Sequence, residues 1–542
     1  MTQRDALLIT YGDQLREANV SPLRTLADFC EQHLMNVVSG IHILPFYPYS
    51  SDDGFSVIDY TEVDPALGDW SDVARLGEHF NLMFDGVINH ISAQSAWFQA
   101  FLRDEVPYRD YFITVEGEPD LSQVVRPRAL PLLTTFAMLS GDKSVWTTFS
   151  ADQIDLNYSN PDVLLALIDV LLQYVAQGAQ FIRLDAIAYL WKEIGTSCIH
   201  LPQTHRVIQL LRAVLDQVAP QVSLITETNV PHVDNVSYFG DGHNEAQLVY
   251  NFALPPLMLH TLHTGDARAL TEWIASPPGP LSRNRPSTPL RSAQDADFGR
   301  GGETAFFNFL ASHDGIGLNP ARGILSDAEI AALVNRVVAH GGRVSYKHNA
   351  DGSRSPYELN INYFDALSDP YSSESIDVQI DRFIVAHASM LALSGMPGIY
   401  FHSLFGSRGW PEGVALTGQN RTINRQKFDR VDVERELGDP SSRRSRVFNR
   451  LKQLLEVRAA STAFAPDSPQ AVLHFQSSVL ALLRGSSEEQ MLCLHNVSAQ
   501  PQVIQLEALW RGSIDLIAGQ VCDAVELTLA PYQILWLRHH DR

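Results

Sequence analysis

The chain has 542 residues, too many for one ordinary core and enough for two or three domains, one of them large. Hydrophobic residues make up 45% and charged residues 19%, the balance of a soluble globular protein. The formal net charge of -22 argues against a nucleic-acid partner, because phosphate backbones need clustered Lys and Arg, and an anionic ligand can bind only where a few arginines are focused. The first predicted strand is Ala6–Thr10, followed by a helix over Pro22–His33 with Ser21 as cap and Pro22 at its first position. A second strand is expected at Gly40–Pro45 and a third at Leu82–Val87, running into Ile88-Asn89-His90. Residues 91–157, with Arg126-Pro127-Arg128 and Trp146–Phe149, are irregular and polar and read as an excursion. A helix over Asn160–Ala176 has cap, proline start and a glycine stop at Gly178, and the apolar run Phe181–Leu184 ending at Asp185 follows it. Similar runs end at Glu227 (Leu224-Ile225-Thr226) and at Asp314 (from Phe309).

Residues 276–303 are rich in Pro, Ser, Arg and Gly and read as a mobile surface insertion, and 315–379 as a second excursion. Beyond about residue 457, short apolar runs at Ser478–Leu483, Met491–His495 and Ile534–Leu537 predict an antiparallel β domain. The strand–helix alternation predicts an α/β fold with a parallel sheet, and acids at strand ends favour a (β/α)8 TIM barrel over a doubly wound sheet. No GxGxxG follows the first strand. The expected division is a barrel from 1–90, 158–314 and 380–456, loop-rich insertions at 91–157 and 315–379, and the β domain at 457–542.

Cys30, Cys198, Cys493 and Cys522 form neither a CxxC pair nor a disulfide framework. The N-terminus lacks a signal-peptide pattern, and no apolar stretch is long enough to span a bilayer. A cytoplasmic protein with no membrane partner is expected.

Two carboxylates are the minimum for cleaving a glycosidic bond through a covalent intermediate. Arg183, two residues before Asp185 on a strand, points to the same face and would keep that acid ionised, as a nucleophile requires; a structural ion pair at a strand end accounts for the pattern equally well. Glu227 after its apolar run suits a general acid whose pKa is raised by desolvation, or else a strand end facing solvent. Asp314 lies between His313 and Gly315-Ile316-Gly317, where glycines allow close backbone approach to a ligand, or form a plain Asp-Gly turn. Three such acids on successive barrel strands point to sugar chemistry.

The segments Asp85–His90, Phe181–Asp185, Ile225–Glu227 and Ser312-His313-Asp314 resemble the motifs of glycoside hydrolase family 13, the α-amylase superfamily, in its order. The resemblance implies Asp185 as nucleophile, Glu227 as general acid/base, Asp314 as transition-state stabiliser, and His90, Arg183 and His313 as glucose-binding residues. His42–Phe46, Asp52–Phe55, Arg126-Pro127-Arg128, Phe252–Leu257, His313–Gly317 and Arg421–Arg425 look like the sucrose phosphorylase subfamily. That likeness implies an Asp52–Arg421 pair at the far end of the glucose site, Phe55 and Phe149 packed on the sugar, Gln153 at the glucosyl ester, and Arg128, Tyr189 and Tyr357 receiving phosphate. Where the sucrose enzymes carry an Asp and a Gln around the loop tyrosine, this chain reads Ser355-Pro356-Tyr357-Glu358. Ser51–Ser56, Gly195–Leu201, Thr226–His232 and Asp351–Glu358 instead look like the glucosylglycerate phosphorylases. A glycerate carboxylate would want a cation from Arg354, Arg408 or Lys347, with Glu358 also at the acceptor site.

The implied activity is reversible phosphorolysis of 2-O-α-glucosylglycerate with retention, with glucosylglycerol or sucrose (6-phosphate) phosphorolysis as alternatives and hydrolysis or transglucosylation as a rival. The expected partners are the α-glucoside and inorganic phosphate, in a monomer or homodimer. Asn89 matches a position that holds calcium in many amylases, but the phosphorylase branch resembles metal-free enzymes, so no metal and no cofactor are expected.

Overall fold

The computed structural model describes residues 1–128, 130–275, 304–348, 353–487 and 489–539, so the expected insertion at 276–303 lies outside the described residues. Eight parallel strands close into a barrel: β1 (Leu7–Thr10), β2 (Gly40–Ile43), β3 (Asn81–Gly86), β4 (Ala179–Leu184), β5 (Ser223–Thr226), β6 (Leu248–Tyr250), β7 (Ala305–Asn308) and β8 (Met396–Tyr400). Each pairs with its neighbours in chain order and β8 closes on β1. The strands read as unbroken apolar runs because both faces are covered: Leu7, Leu8 and Ile9 are all fully buried. The helix Pro161–Ala176 starts as its sequence dictates, with the Asn160 side chain accepting the Asp162 N–H. Ser21 departs from expectation. Its hydroxyl donates to Asp72 (2.9 Å) and caps nothing at the start of Pro22–Leu34.

Two excursions leave the carboxyl-terminal ends of the barrel strands. Between β3 and β4 the chain forms a ladder of His90–Ser92 with Gln153–Asp155 and a three-stranded sheet of Thr114–Val115, Leu133–Phe136 and Lys143–Trp146. Between β7 and β8 it forms an antiparallel sheet of Ile316–Gly317, Arg343–His348 and Arg354–Asn360, followed by the helix Ile376–Ala392. A sheet built from strands within Gln470–Arg538 ends the chain. Two buried arginines tie this sheet and the segment leading into it to the barrel through carbonyl oxygens. Arg458 donates to Asp5 and Gly395 (both 3.2 Å) and to Phe464 (3.1 Å), and Arg484 to Ala392 (2.7 Å). Among the described residues no helix is long and apolar enough to cross a membrane.

The third acid-bearing segment differs from its prediction. The strand is Ala305–Asn308, and residues 309–314 form a loop beyond it. Phe309 and Leu310 are buried there without being in a strand, so their apolar character marks burial and not extended pairing. The acids therefore follow β4, β5 and β7, with β6 intervening, and not three successive strands.

Candidate active site

Parallel register sets the first two acids side by side. Leu184 on β4 pairs with Gly86 on β3 and with Thr226 on β5, so Asp185 and Glu227, each one residue further, emerge together at the carboxyl end of the barrel. The Asp185 N–H donates to Gly86 (3.1 Å) and the Glu227 N–H to Leu184 (3.1 Å). Ala186 turns sharply in the left-handed region (φ 49°), and its N–H donates to Glu227 Oε2 at 3.0 Å. That hydrogen bond occupies Oε2 and leaves Oε1 as the oxygen available to carry a proton.

Arg183 lies beneath, fully buried, and its Nη1 binds Asp185 Oδ1 at 2.9 Å and also Asp85. Asp85 is held in turn by His42 Nε2 at 2.7 Å. The Arg183 guanidinium is 4.0 Å from Glu227, so it favours negative charge on Asp185 over Glu227. Asp314 is reached from the opposite side, with Arg421 Nη1 at 2.6 Å and His313 Nε2 at 3.5 Å. Its loop is fixed from behind by one side chain: Asn424 Nδ2 donates to the carbonyls of Ser312 (3.0 Å), His313 (3.2 Å) and Asp314 (2.6 Å).

Burial pushes the carboxyls of both Asp185 and Glu227 upward, opposed by Arg183; the charge of Glu227 adds to the rise at Asp185, and that of Asp314 to the rise at Glu227. Such a pair titrates together. Arg183, bound to Asp185 and 4.0 Å from Glu227, biases the negative charge of the pair toward Asp185. Burial also opposes ionisation of Asp314, but Arg421, His313 and Arg425 outweigh it and hold the carboxyl well below the usual range. Burial drives His90 down to about 4 and His313 to about 3, so both imidazoles are neutral hydrogen-bonding groups at pH 7.

The three acids open into a cleft. Asp52, Phe55, His90, Phe149, Gln153, His313 and Arg421 line it, as do Arg128, Tyr189, Tyr357 and Glu358. Phe55 stacks on His313 with centroids 4.7 Å apart, and its carbonyl faces His90 Nε2 (2.9 Å) and Gln153 Nε2 (3.0 Å). Phe149 stands edge-on to Tyr189 (5.4 Å), with the Arg128 guanidinium 5.7 Å above its ring. Burial raises both phenols, Tyr189 and Tyr357, so they remain hydroxyl donors. Arg128 and the two phenols supply the hydrogen-bond donors of this wall, with Arg128 paired to Asp52 (2.8 Å).

Four expectations fail on geometry. Asp52 and Arg421 are not paired: Asp52 takes Arg128 at 2.8 Å and Arg425 at 3.8 Å, while the Arg421 fork is spent on Glu358 (3.0 and 2.7 Å) and Asp314. Arg408 does not reach the cleft, because Asp365 (2.6 Å) and Gln379 (2.7 Å) capture its guanidinium over Phe364. Arg354 is exposed at the start of its strand, four residues or roughly 13 Å from Glu358, and it does not line the cleft; neither does Lys347. Thr228, Asn229 and Phe252 also line the cleft, beyond the residues expected there. The role of Arg425 goes beyond expectation as well: it holds Asp53 (2.7 Å) and the His313 carbonyl (2.9 Å). All four lie inside the family-like segments Thr226–His232, Phe252–Leu257 and Arg421–Arg425, the one signal the sequence offers for them.

Asn89 has a cation beside it, supplied by the chain itself. The buried Lys192 ammonium binds Asn89 Oδ1 at 2.9 Å and Asp155 at 2.5 Å. Asp155 also accepts the Thr148 N–H (2.7 Å) and hydroxyl (2.7 Å), so this ion pair fixes the ladder that carries His90 and Gln153. Lys192→Met is expected to destabilise the protein by about 3–5 kcal/mol, because Asp155 is left as a buried unpaired charge. The check is the midpoint of denaturant unfolding, which should fall well below that of the parent. Among the described residues no group of His, Cys, Asp and Glu is arranged to hold a metal ion.

Comparison with known proteins agrees with this geometry. A family model for the α-amylase catalytic domain matches residues 35–273. The glucosylglycerate phosphorylase of Allomeiothermus silvanus is 50% identical, over 99% of this chain and 91% of its own length. That of Spirochaeta thermophila is 49% identical, over 98% and 89%. The crystal structure of sucrose 6F-phosphate phosphorylase from Thermoanaerobacter thermosaccharolyticum superposes with a TM-score of 0.77 at 25% identity, covering 92% of this chain and 94% of that one.

Proposed function

Because the chain belongs to the α-amylase superfamily, glycoside hydrolase family 13, and matches its glucosylglycerate phosphorylases along nearly its whole length, we propose that it is a retaining α-glucoside phosphorylase converting 2-O-α-glucosylglycerate and phosphate reversibly into α-glucose 1-phosphate and glycerate. The observation that carries the reading is an Arg183-held Asp185 beside Glu227 in a cleft that Arg128, Tyr189 and Tyr357 also line. Glucose is held by His90, Gln153, Phe55 and His313.

Asp185 attacks the anomeric carbon as the glycosidic C–O bond breaks, and Glu227 Oε1 gives its proton to the departing glycerate oxygen. Asp314 supports positive charge developing on the ring. Glycerate leaves and phosphate takes its place against Arg128 and the two phenols. A phosphate oxygen then attacks the same carbon, displacing the Asp185 carboxylate, and the phosphate proton passes to Glu227. Two inversions give net retention. The glycerate carboxylate and the phosphate are both anions, so the same donors, Arg128 and the two phenols, serve both acceptors. A cytoplasmic location fits the same reading, since all four cysteines are free thiols.

The test is a phosphorolysis panel with glucosylglycerate, glucosylglycerol, sucrose and sucrose 6′-phosphate. Glucosylglycerate is expected to give the highest kcat/KM for glucose 1-phosphate. A preference for sucrose would overturn the acceptor assignment, and phosphate-independent release of glucose would overturn the phosphorylase reading.

A further inference from the structure

The loop between Tyr189 and Pro202 contains a segment singled out in the sequence, Gly195–Leu201, that no step of the reaction uses. It is a compact knot. The Thr196 N–H and hydroxyl both bind the Glu193 carbonyl (3.1 and 2.7 Å), and the Cys198 N–H returns to Thr196 Oγ1 (3.1 Å). Two of its residues, Cys198 (φ 52°) and His200 (φ 56°), hold the left-handed conformation without being glycine. Such conformations persist only where the surroundings impose them, and they cluster near functional sites.

The knot makes two connections. Backward, the His200 N–H donates to the carbonyl of Ala188 (3.1 Å), in the turn that carries Tyr189 directly after the nucleophile. Outward, the Ser197 carbonyl accepts the Val125 N–H (3.0 Å), and the buried Cys198 side chain packs into an apolar cluster with Val124, Leu132 and Trp146. Val124, Val125 and Leu132 flank Arg128 on a segment whose described residues between Val115 and Leu133 form no helix or strand. The backbone that carries Arg128 is therefore held by these anchors, the knot on one side and on the other the Leu132 carbonyl, which accepts the Thr147 N–H (2.8 Å), while Asp52 (2.8 Å) and the Phe149 ring hold its guanidinium.

We infer that the Glu193–His200 knot, through Ser197 and Cys198, is a positioning element that fixes the Arg128 segment relative to the nucleophile turn, and so makes phosphate and not water the acceptor of the glucosyl group. The inference rests on the phosphorylase reading above. Both acceptors attack the same ester. Phosphate gains only if its cation already stands at the right distance from Asp185, since preorganised charge acts without reorganisation at the moment of reaction. Water needs no such cation. Loosening the anchor should therefore cost phosphate affinity and leave the first glucosyl transfer intact.

Val125→Pro deletes the N–H that meets Ser197 and changes a side chain that is 42% exposed; Val125→Ala keeps the N–H and serves as control. With glucosylglycerate as donor, glucose and glucose 1-phosphate are both measured across a phosphate titration. Val125→Pro is expected to raise KM for phosphate, and the ratio of glucose to glucose 1-phosphate, by about tenfold, with glycerate release at saturating phosphate within about twofold of the parent. Val125→Ala should match the parent. Cys198→Asp, which puts a carboxylate into the apolar cluster, carries the same expectation, with Cys198→Ala close to the parent. It decides the matter if Val125→Pro melts before assay. Unchanged phosphate KM and product ratio in the folded variants would overturn the inference while the phosphorylase reading stands. A parent enzyme that releases glucose regardless of phosphate would instead remove the reading on which it rests.

Discussion

Asp185→Asn is expected to lower kcat/KM for glucose 1-phosphate formation by on the order of 10⁶-fold, the scale seen when a nucleophile acting as part of a unit is removed. The amide cannot form the ester, so both half-reactions stop. The variant should still fold. Arg183 keeps its second carboxylate, Asp85, which is itself tied to His42, so the buried guanidinium is not left without a counter-charge. Glucose binding should survive as well, since His90, Gln153, Phe55 and His313 hold one another independently of Asp185. The measurement is twofold: steady-state phosphorolysis, and mass spectrometry of the protein quenched with donor in the absence of phosphate. The parent should show a covalent glucosyl adduct and the variant none. Full activity in the variant, or an adduct carried on another residue, would sink the nucleophile assignment.

What the sequence reveals of this site tracks how far each interaction reaches along the chain. Asp185 and Glu227 are visible because each is the first polar residue after a buried strand, and parallel register then brings them together without further information. Asp314 is visible as a residue but not as a position, because the apolar run before it continues past the end of β7 into a buried loop. The long cations are least legible. Arg421, Arg425, Arg128 and Arg408 all sit in recognisable segments, yet which carboxylate each guanidinium takes depends on elements far away in sequence. Thus Asp52 goes to Arg128, Arg421 to Glu358 and Asp314, and Arg408 to Asp365. Lys192 had no local mark at all. Its partners, Asn89 and Asp155, lie between β3 and β4, before the strand that Lys192 follows, and only the folded ladder shows that a cation stands there.

The acid/base role of Glu227 makes a prediction whose sign depends on the leaving group. Glu227→Gln should lose about 10²–10⁴-fold on glucosylglycerate, the usual contribution of a positioned general acid. The geometry of the site should persist, because a glutamine carbonyl can accept the Ala186 N–H as Oε2 does now. On α-glucosyl fluoride the loss should be far smaller, since fluoride departs without a proton and phosphate is already anionic when it attacks the ester. The pH dependence follows from the same proton. Burial and the charge of Asp314 raise the Glu227 carboxyl, so it stays protonated above the ordinary carboxylate range. For the parent, kcat/KM on glucosylglycerate should be high while that proton is bound and fall as pH rises through the raised pKa. In Glu227→Gln the falling limb should vanish, because the amide does not titrate. An equal loss on both donors, or a basic limb that survives the substitution, would remove Glu227 from the acid/base role and return the search to the other groups lining the cleft.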